Sequence, residues 1–169
     1  MQRPIPKESQ KFLKSGDFIV SKTNSHGKIT YGNEIFIDIS GYSEDELLDA
    51  PHSILRHPDM PKVVFKYLWD RIQKKEEIFA YVKNLCKDGS YYWVFTNVTT
   101  TLNSNGTIRD FHSVRRKASE KALKIIPNIY SQLLTVERDR GIEASQILLE
   151  KTLSDKGMTY DQFIFSLQK

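Results

Sequence analysis

Residues 54–69 read ILRHPDMPKVVFKYLW, and the rest of the chain is organised around them. Arg56, His57 and Asp59 put three ionisable side chains within four positions, and Pro58 and Pro61 stiffen the backbone around them. Directly afterwards Val64, Phe65, Leu68, Trp69 and Ile72 recur at helical spacing. The pattern predicts a helix of about four turns entered through a charged lip. Asp59 is placed to cap that helix as an N-terminal acceptor, with Met60 and Pro61 in its first turn. Two readings follow: a lip that grips an anionic or electron-rich ligand, or a capped loop whose Arg–Asp pair only fixes a turn.

Upstream of the lip, Phe18-Ile19-Val20 and Ile29-Thr30-Tyr31 are β-prone runs flanking the turn-rich Asn24-Ser25-His26-Gly27-Lys28, the pattern of a hairpin. Asn33 to Ile39 carries Ile35, Phe36 and Ile39 on one helical face and closes at Ser40-Gly41. Ser43-Glu44-Asp45-Glu46 reads as a capping box opening a second short helix that ends before Pro51. Downstream, Ile78 to Cys86, Tyr91 to Leu102 and Ile108 to Arg116 form a meander turning at Lys87-Asp88-Gly89 and Asn103-Ser104-Asn105-Gly106. Tyr92, Val94, Thr96 and Val98 share one face of the middle strand, and Tyr91, Trp93, Phe95 and Asn97 the other. One face suits the short helices; the other suits a further helix or a second protein. Two leading and three trailing strands around a helical insert give an α+β domain. Its five-stranded antiparallel sheet carries short helices on one face and encloses a pocket between the layers.

The ends differ in character. Residues 1–16 are polar, with Pro4 and Pro6, and read as an arm or cap ahead of the domain 17–117. Residues 118–169 form a helical extension: Ala122, Ile126, Ile129, Leu133 and Val136 follow a two-heptad seam in which Pro127 is expected to start or kink a helix. Gly141 breaks it, and Thr159-x-x-Gln162 caps a last helix. The seam predicts an output or dimer helix, with packing on its own domain as the alternative.

Composition narrows the classes. The net charge is +4, but basic and acidic residues alternate, which argues for a mixed solvated surface over a nucleic-acid stripe. A single cysteine excludes an internal disulfide and fits a reducing compartment. No apolar leader or spanning stretch stands out, so the expectation is a soluble cytoplasmic protein that reaches membranes only through a partner. No HExxH, CxxC, GxGxxG or Walker pattern is present, and nothing reads as an enzyme. What remains is a pocket rich in amides and aromatics, suited to a flat heteroaromatic ligand. Asn33 and Asn84 each offer a donor and an acceptor to a ring edge. Each also has a simpler reading, Asn33 as a helix cap and Asn84 as a polar strand residue, and Trp69 reads as either core or ligand contact.

Taken together, Tyr31-Gly32-Asn33, Ser40-Gly41-Tyr42-Ser43-x-x-Glu46-Leu47, Leu55-Arg56-His57-Pro58-Asp59-Met60-Pro61, Lys83-Asn84 with Lys87-Asp88-Gly89, and Tyr92-Trp93-Val94 resemble a PAS sensor domain over about Phe18 to Arg116. The Arg-His-Pro-Asp-Met-Pro string resembles the FAD-binding PAS domain of the Aer aerotaxis receptors, and the whole looks similar to the stand-alone PAS half of bipartite energy-taxis systems, the CetB-like proteins. That resemblance implies FAD held by Asn33, Arg56, His57, Asp59, Trp69 and Asn84. It also implies a methyl-accepting chemotaxis receptor as partner, with a homodimer as a further association. It departs from the receptors at Ile78, Phe79 and Tyr81, where they often present a Trp to the flavin. It also lacks the Asn-Cys-Arg signature of light-sensing LOV domains. A haem or small-ligand sensor, with His57 or His112 as iron ligand, and a cofactor-free interaction adaptor are the alternatives.

Overall fold

In the computed structural model, which describes residues 2–169, the strands are β1 (Ile19–Asn24), β2 (Ile29–Gly32), β3 (Ile78–Leu85), β4 (Tyr91–Leu102) and β5 (Ile108–Lys117). They form one antiparallel sheet in the order β2-β1-β5-β4-β3, so the last strand is inserted between the two leading ones and its own hairpin partner. Local chemistry sets the turns. Asp88 Oδ1 accepts from Ser90 N at 2.9 Å across the β3–β4 corner, and Gly89 adopts φ +88° there.

Between β2 and β3 lie α1 (Glu34–Ser40), α2 (Glu44–Leu47), a 3₁₀ turn (His52–Leu55) and α3 (Lys62–Gln73). The expected caps of the first two are present. Gly41 ends α1 at φ 75°, and Ser43 with Glu46 makes a reciprocal capping box on α2. The start of α3 differs from expectation. Its N-cap is Pro61, without a side-chain cap of its own, and Asp59 lies outside the helix with its carboxylate on Lys83 Nζ at 2.7 Å. The first-turn amides of Lys62 and Val63 donate instead to the two oxygens of Glu137, at 2.8 and 3.1 Å. No local sequence rule could supply a cap from so distant a residue.

Residues 118–169 fold as α4 (Glu120–Arg140), α5 (Ile142–Asp155) and α6 (Tyr160–Leu167). The heptad seam is used inside this chain rather than offered outward: Ala122, Ile126 and Leu133 are buried, Ile129 and Val136 are half-buried, and Tyr130 beside them is buried. Helix α4 runs through Pro127 without ending. The outer sheet face receives this layer, with Phe165 4.7 Å from the Phe79 ring and Tyr130 6.0 Å from Trp93. β3 is an edge strand, and two of its carbonyls are taken up by phenols: Tyr130 Oη donates to Tyr81 O at 2.7 Å and Tyr160 Oη to Phe79 O at 2.9 Å. Edge groups that would template another strand are thereby satisfied within the chain.

The N-terminal arm docks on the β3–β4 corner. Lys7 N donates to Gly89 O at 2.8 Å, Lys11 N to Tyr91 O at 2.7 Å, and Leu13 is buried. A Cβ at Gly89 would lie 2.2 Å from the Ile5 carbonyl oxygen. Gly89→Ala is therefore expected to lift the arm and lower stability by about 1–3 kcal/mol. Denaturant unfolding measures the loss, and faster proteolysis within residues 2–16 locates it.

Candidate functional site

The inner sheet face and α3 enclose a cavity of about 280 Å³. Phe65, Leu68, Trp69 and Ile72 of α3 form one wall, and Val82, Val98 and Phe111 contribute apolar floor. Into this apolar shell project polar atoms without partners. Asn84 Nδ2, Thr96 Oγ1, Ser113 Oγ, Arg115 Nη1 and Arg56 Nε all belong to cavity-lining residues, are buried, and make no hydrogen bond. Buried polar atoms are normally paired, so their convergence on one space is a strong indication of a ligand with a polar edge.

Arg115 is the dominant charge. It is 3% exposed on β5, and Nη2 donates to Ser21 Oγ at 2.7 Å and lies 2.6 Å from His52 Nε2. Burial pulls its pKa down to about 10. His52 is pulled further, to about 3, first by burial and then by the Arg115 charge. Its ring is neutral near pH 7, so Nε2 can accept from the guanidinium. Among the described residues no Asp or Glu lines the cavity, and Arg115 has no carboxylate to balance it. Arg56 adds a second cation at the rim, its guanidinium 4.0 Å from the Phe65 ring centroid.

Of the residues singled out in the sequence, Arg56, Trp69 and Asn84 line this cavity. The backbone brings two of them together, because Arg56 pairs with Asn84 as an isolated antiparallel bridge on the edge of β3 away from β4. Trp69 is 42% exposed and packs edge-on to Phe111, at 5.6 Å. Asn33, His57 and Asp59 are elsewhere. The Asn33 amide caps α1 and ties it to β1: Oδ1 accepts from Phe36 N at 3.2 Å and Val20 N at 3.1 Å, and Nδ2 donates to Phe18 O at 2.8 Å. His57 is buried against Tyr91, its Nδ1 accepts from Asp59 N at 3.1 Å, and burial followed by the Lys83 charge lowers its pKa to about 4. It is neither charged at pH 7 nor directed at the cavity. Asp59 is committed to Lys83.

The residues not singled out are His52, Ser21, Ser113 and Arg115. A period-2 reading of β5 contains the signal, since Phe111, Ser113 and Arg115 share the inner face and two of the three are polar. A serine and an arginine on a core-facing register are unexpected unless a ligand or partner meets them.

The family model described as the PAS fold matches residues 29–115, from β2 into β5 and including α3. The chain belongs to the PAS family. Among curated PAS relatives, it is 35% identical over 115 residues to the aerotaxis receptor of Escherichia coli, covering 68% of this chain and 22% of that one. It is 27% identical over 106 residues to the bacterioopsin transcriptional activator of Halobacterium salinarum, covering 63% and 16%. The chain thus spans about a fifth of the length of these relatives. Among solved structures, the dark structure of the blue-light photoreceptor Aureochrome1 LOV aligns at TM-score 0.53 with 25% identity, covering 72% of this chain and 83% of that one. A light-oxygen-voltage domain studied with a flavin analogue aligns at TM-score 0.57 with 21% identity, covering 66% and 83%. The PAS sheet, with its short helices on one face, is therefore shared. In this chain no helix among the described residues is long and apolar enough to cross a membrane.

Proposed function

We propose that this PAS domain is a redox sensor for energy taxis: its cavity holds the ring system of FAD, and the state of that ring is passed to a methyl-accepting chemotaxis receptor. The carrying observation is the set of unpartnered atoms on Asn84, Thr96, Ser113, Arg115 and Arg56 around an apolar slot. Most are donors, and a flavin edge presents carbonyl and ring-nitrogen acceptors. At about 280 Å³ the cavity is near the small end of ligand sites, which suits the tricyclic ring with the remainder of the dinucleotide outside. Similarity to an aerotaxis receptor and to LOV structures supports both the cofactor class and the signalling role.

A flavin supplies reversible electron uptake, with negative charge and altered donor character at its polar edge. The chain's own residues match that change. Arg115 and Arg56 present cations, the neutral His52 holds Arg115 in place from behind, and the Asn84 amide can turn either its donor or its acceptor inward. His57 and Asp59 contribute by shaping the lip: they anchor the Met60 turn and Lys83 on the outside of β3. A preference between redox states of about 1–3 kcal/mol is enough to shift a conformational equilibrium severalfold or more.

Purified protein is expected to be yellow, or to become so with FAD, and to bleach with dithionite. A Soret band, or no uptake of FAD, overturns the proposal. Asn84→Ala is expected to weaken FAD binding by about 1–2 kcal/mol, roughly 5- to 30-fold, read by flavin fluorescence titration.

A further inference from the structure

The cavity has a second neighbour besides the sheet. Helix α3 offers Phe65, Leu68, Trp69 and Ile72 to the cavity, while other faces of the same helix are held by the C-terminal extension. At the N-terminus, Glu137 of α4 accepts from Lys62 N and Val63 N, the only side-chain cap that end of α3 has among the described residues. Toward the C-terminus, Arg71 makes a two-pronged pair with Asp161 of α6, at 2.8 and 2.9 Å. Midway, Tyr67 packs on Tyr160 with ring centroids 4.6 Å apart. The asymmetry is physical. A helix that slides on apolar contacts alone moves cheaply, but this one cannot shift at either end without parting a carboxylate from its donors.

The geometry points to α3 as the element that couples the cavity to residues 120–167, with Glu137 and Asp161 as positioning residues that convert a shift of α3 into a shift of α4 and α6. A route out of the cavity through its helical wall then runs beside the sheet, to which Tyr130 and Tyr160 hold the same helices. The flavin arm of the test below rests on the reading that the cavity binds FAD; the other arm does not.

The experiment uses the full chain. Of the two tryptophans, Trp93 lies on the outer face, so Trp93→Phe leaves Trp69 as the sole indole, reporting from α3. In that background Glu137→Ala is expected to move Trp69 emission toward that of a more water-exposed indole. It is also expected to speed hydrogen exchange at the Lys62 and Val63 amides about tenfold. Asp161→Asn is expected to move the same emission from the other end. Unchanged emission in both variants overturns the coupling. With FAD as probe, amides of α4 and α6 in the wild-type chain are expected to exchange differently in the FAD-bound and FAD-free forms, and Glu137→Ala is expected to erase that difference while FAD remains bound. A simple structural role for Glu137 would lower protection in both forms equally and leave the difference intact. FAD uptake with identical exchange in α4 and α6 refutes the inference and spares the flavin reading. Failure to take up FAD refutes the flavin reading, and the Trp69 arm then decides the coupling alone.

Discussion

Arg115→Met is expected to weaken FAD binding by about 10- to 100-fold and, at the same time, to raise the melting temperature of the flavin-free protein. The two signs come from one feature. The guanidinium is 3% exposed, Nη1 has no partner, and its neighbours are a serine hydroxyl and a neutral imidazole rather than a carboxylate. A buried cation without a counter-charge costs stability, and an apolar side chain of similar length removes that cost. When a ligand with an electron-rich edge is present, the same cation supplies a charge-assisted hydrogen bond of about 1.5–3 kcal/mol, which is the source of the expected fold-change. Ser21 and His52 are not stranded by the change, because Ser21 Oγ and His52 Nε2 are already 3.4 Å apart and can close on each other. Fluorescence titration with FAD and a thermal melt of the flavin-free variant check the two halves separately. Loss of both affinity and stability would reduce Arg115 to a structural residue and remove the charge argument from the site. Arg56→Gln is expected to be milder, because its guanidinium is half-buried at the rim and stacked on Phe65.

The same contrast between local and distant causes explains what could be read from the sequence. The hairpins, the Gly41 end of α1, and the Ser43 and Thr159 capping boxes are set within a few residues, and each is present where its motif lies. Arg56 and Asn84 were legible as cavity residues because the lip and the edge strand both carry local signals. Asp59 was misread because the cap of α3 is provided across the fold by Glu137, and a nearby lysine claims the aspartate first. His57 and Asn33 carry the right functional groups for a ligand but spend them on backbone amides. Arg115 and Ser113 escaped notice for the opposite reason. Their strand read only as the last run of a meander until the order β2-β1-β5-β4-β3 placed it in the middle of the sheet with Ser113 and Arg115 inward. Spacing favoured an output or dimer helix for the C-terminal heptad, whereas a seam suits a sheet face as well as a second helix. The edge carbonyls of Phe79 and Tyr81, satisfied by Tyr160 and Tyr130, are what fix it to this domain.

Acid is expected to weaken this protein from about pH 6.5 downward, before most of its carboxylates are titrated. His52 and His57 have folded-state pKa values of about 3 and about 4, against 6.5 for an ordinary imidazole, burial being the first cause in both. Each is held neutral in the fold and is free to protonate in the unfolded chain. Their contribution is therefore fully present above about pH 6.5 and is lost as pH falls toward the folded values. At about 1.4 kcal/mol per pH unit, displacements in this direction amount to a few kcal/mol for the pair as pH falls toward 4. Native domains have only about 5–15 kcal/mol in hand, so urea unfolding midpoints are expected to drop steeply between pH 6.5 and 4. His52→Gln keeps a side-chain acceptor for Arg115 and removes the titration, so it is expected to flatten that slope. His57→Gln should flatten it independently, since His52 bonds Arg115 and His57 bonds the Asp59 amide, with no partner in common. A slope unchanged in the double variant would mean that neither imidazole is held neutral by its surroundings. FAD binding supplies a cross-check on His52. Forcing a proton onto its ring would place two cations 2.6 Å apart at the cavity wall, so affinity in the folded protein is expected to hold from pH 6.5 to 4 and to fall only toward pH 3. In His52→Gln that fall should be absent.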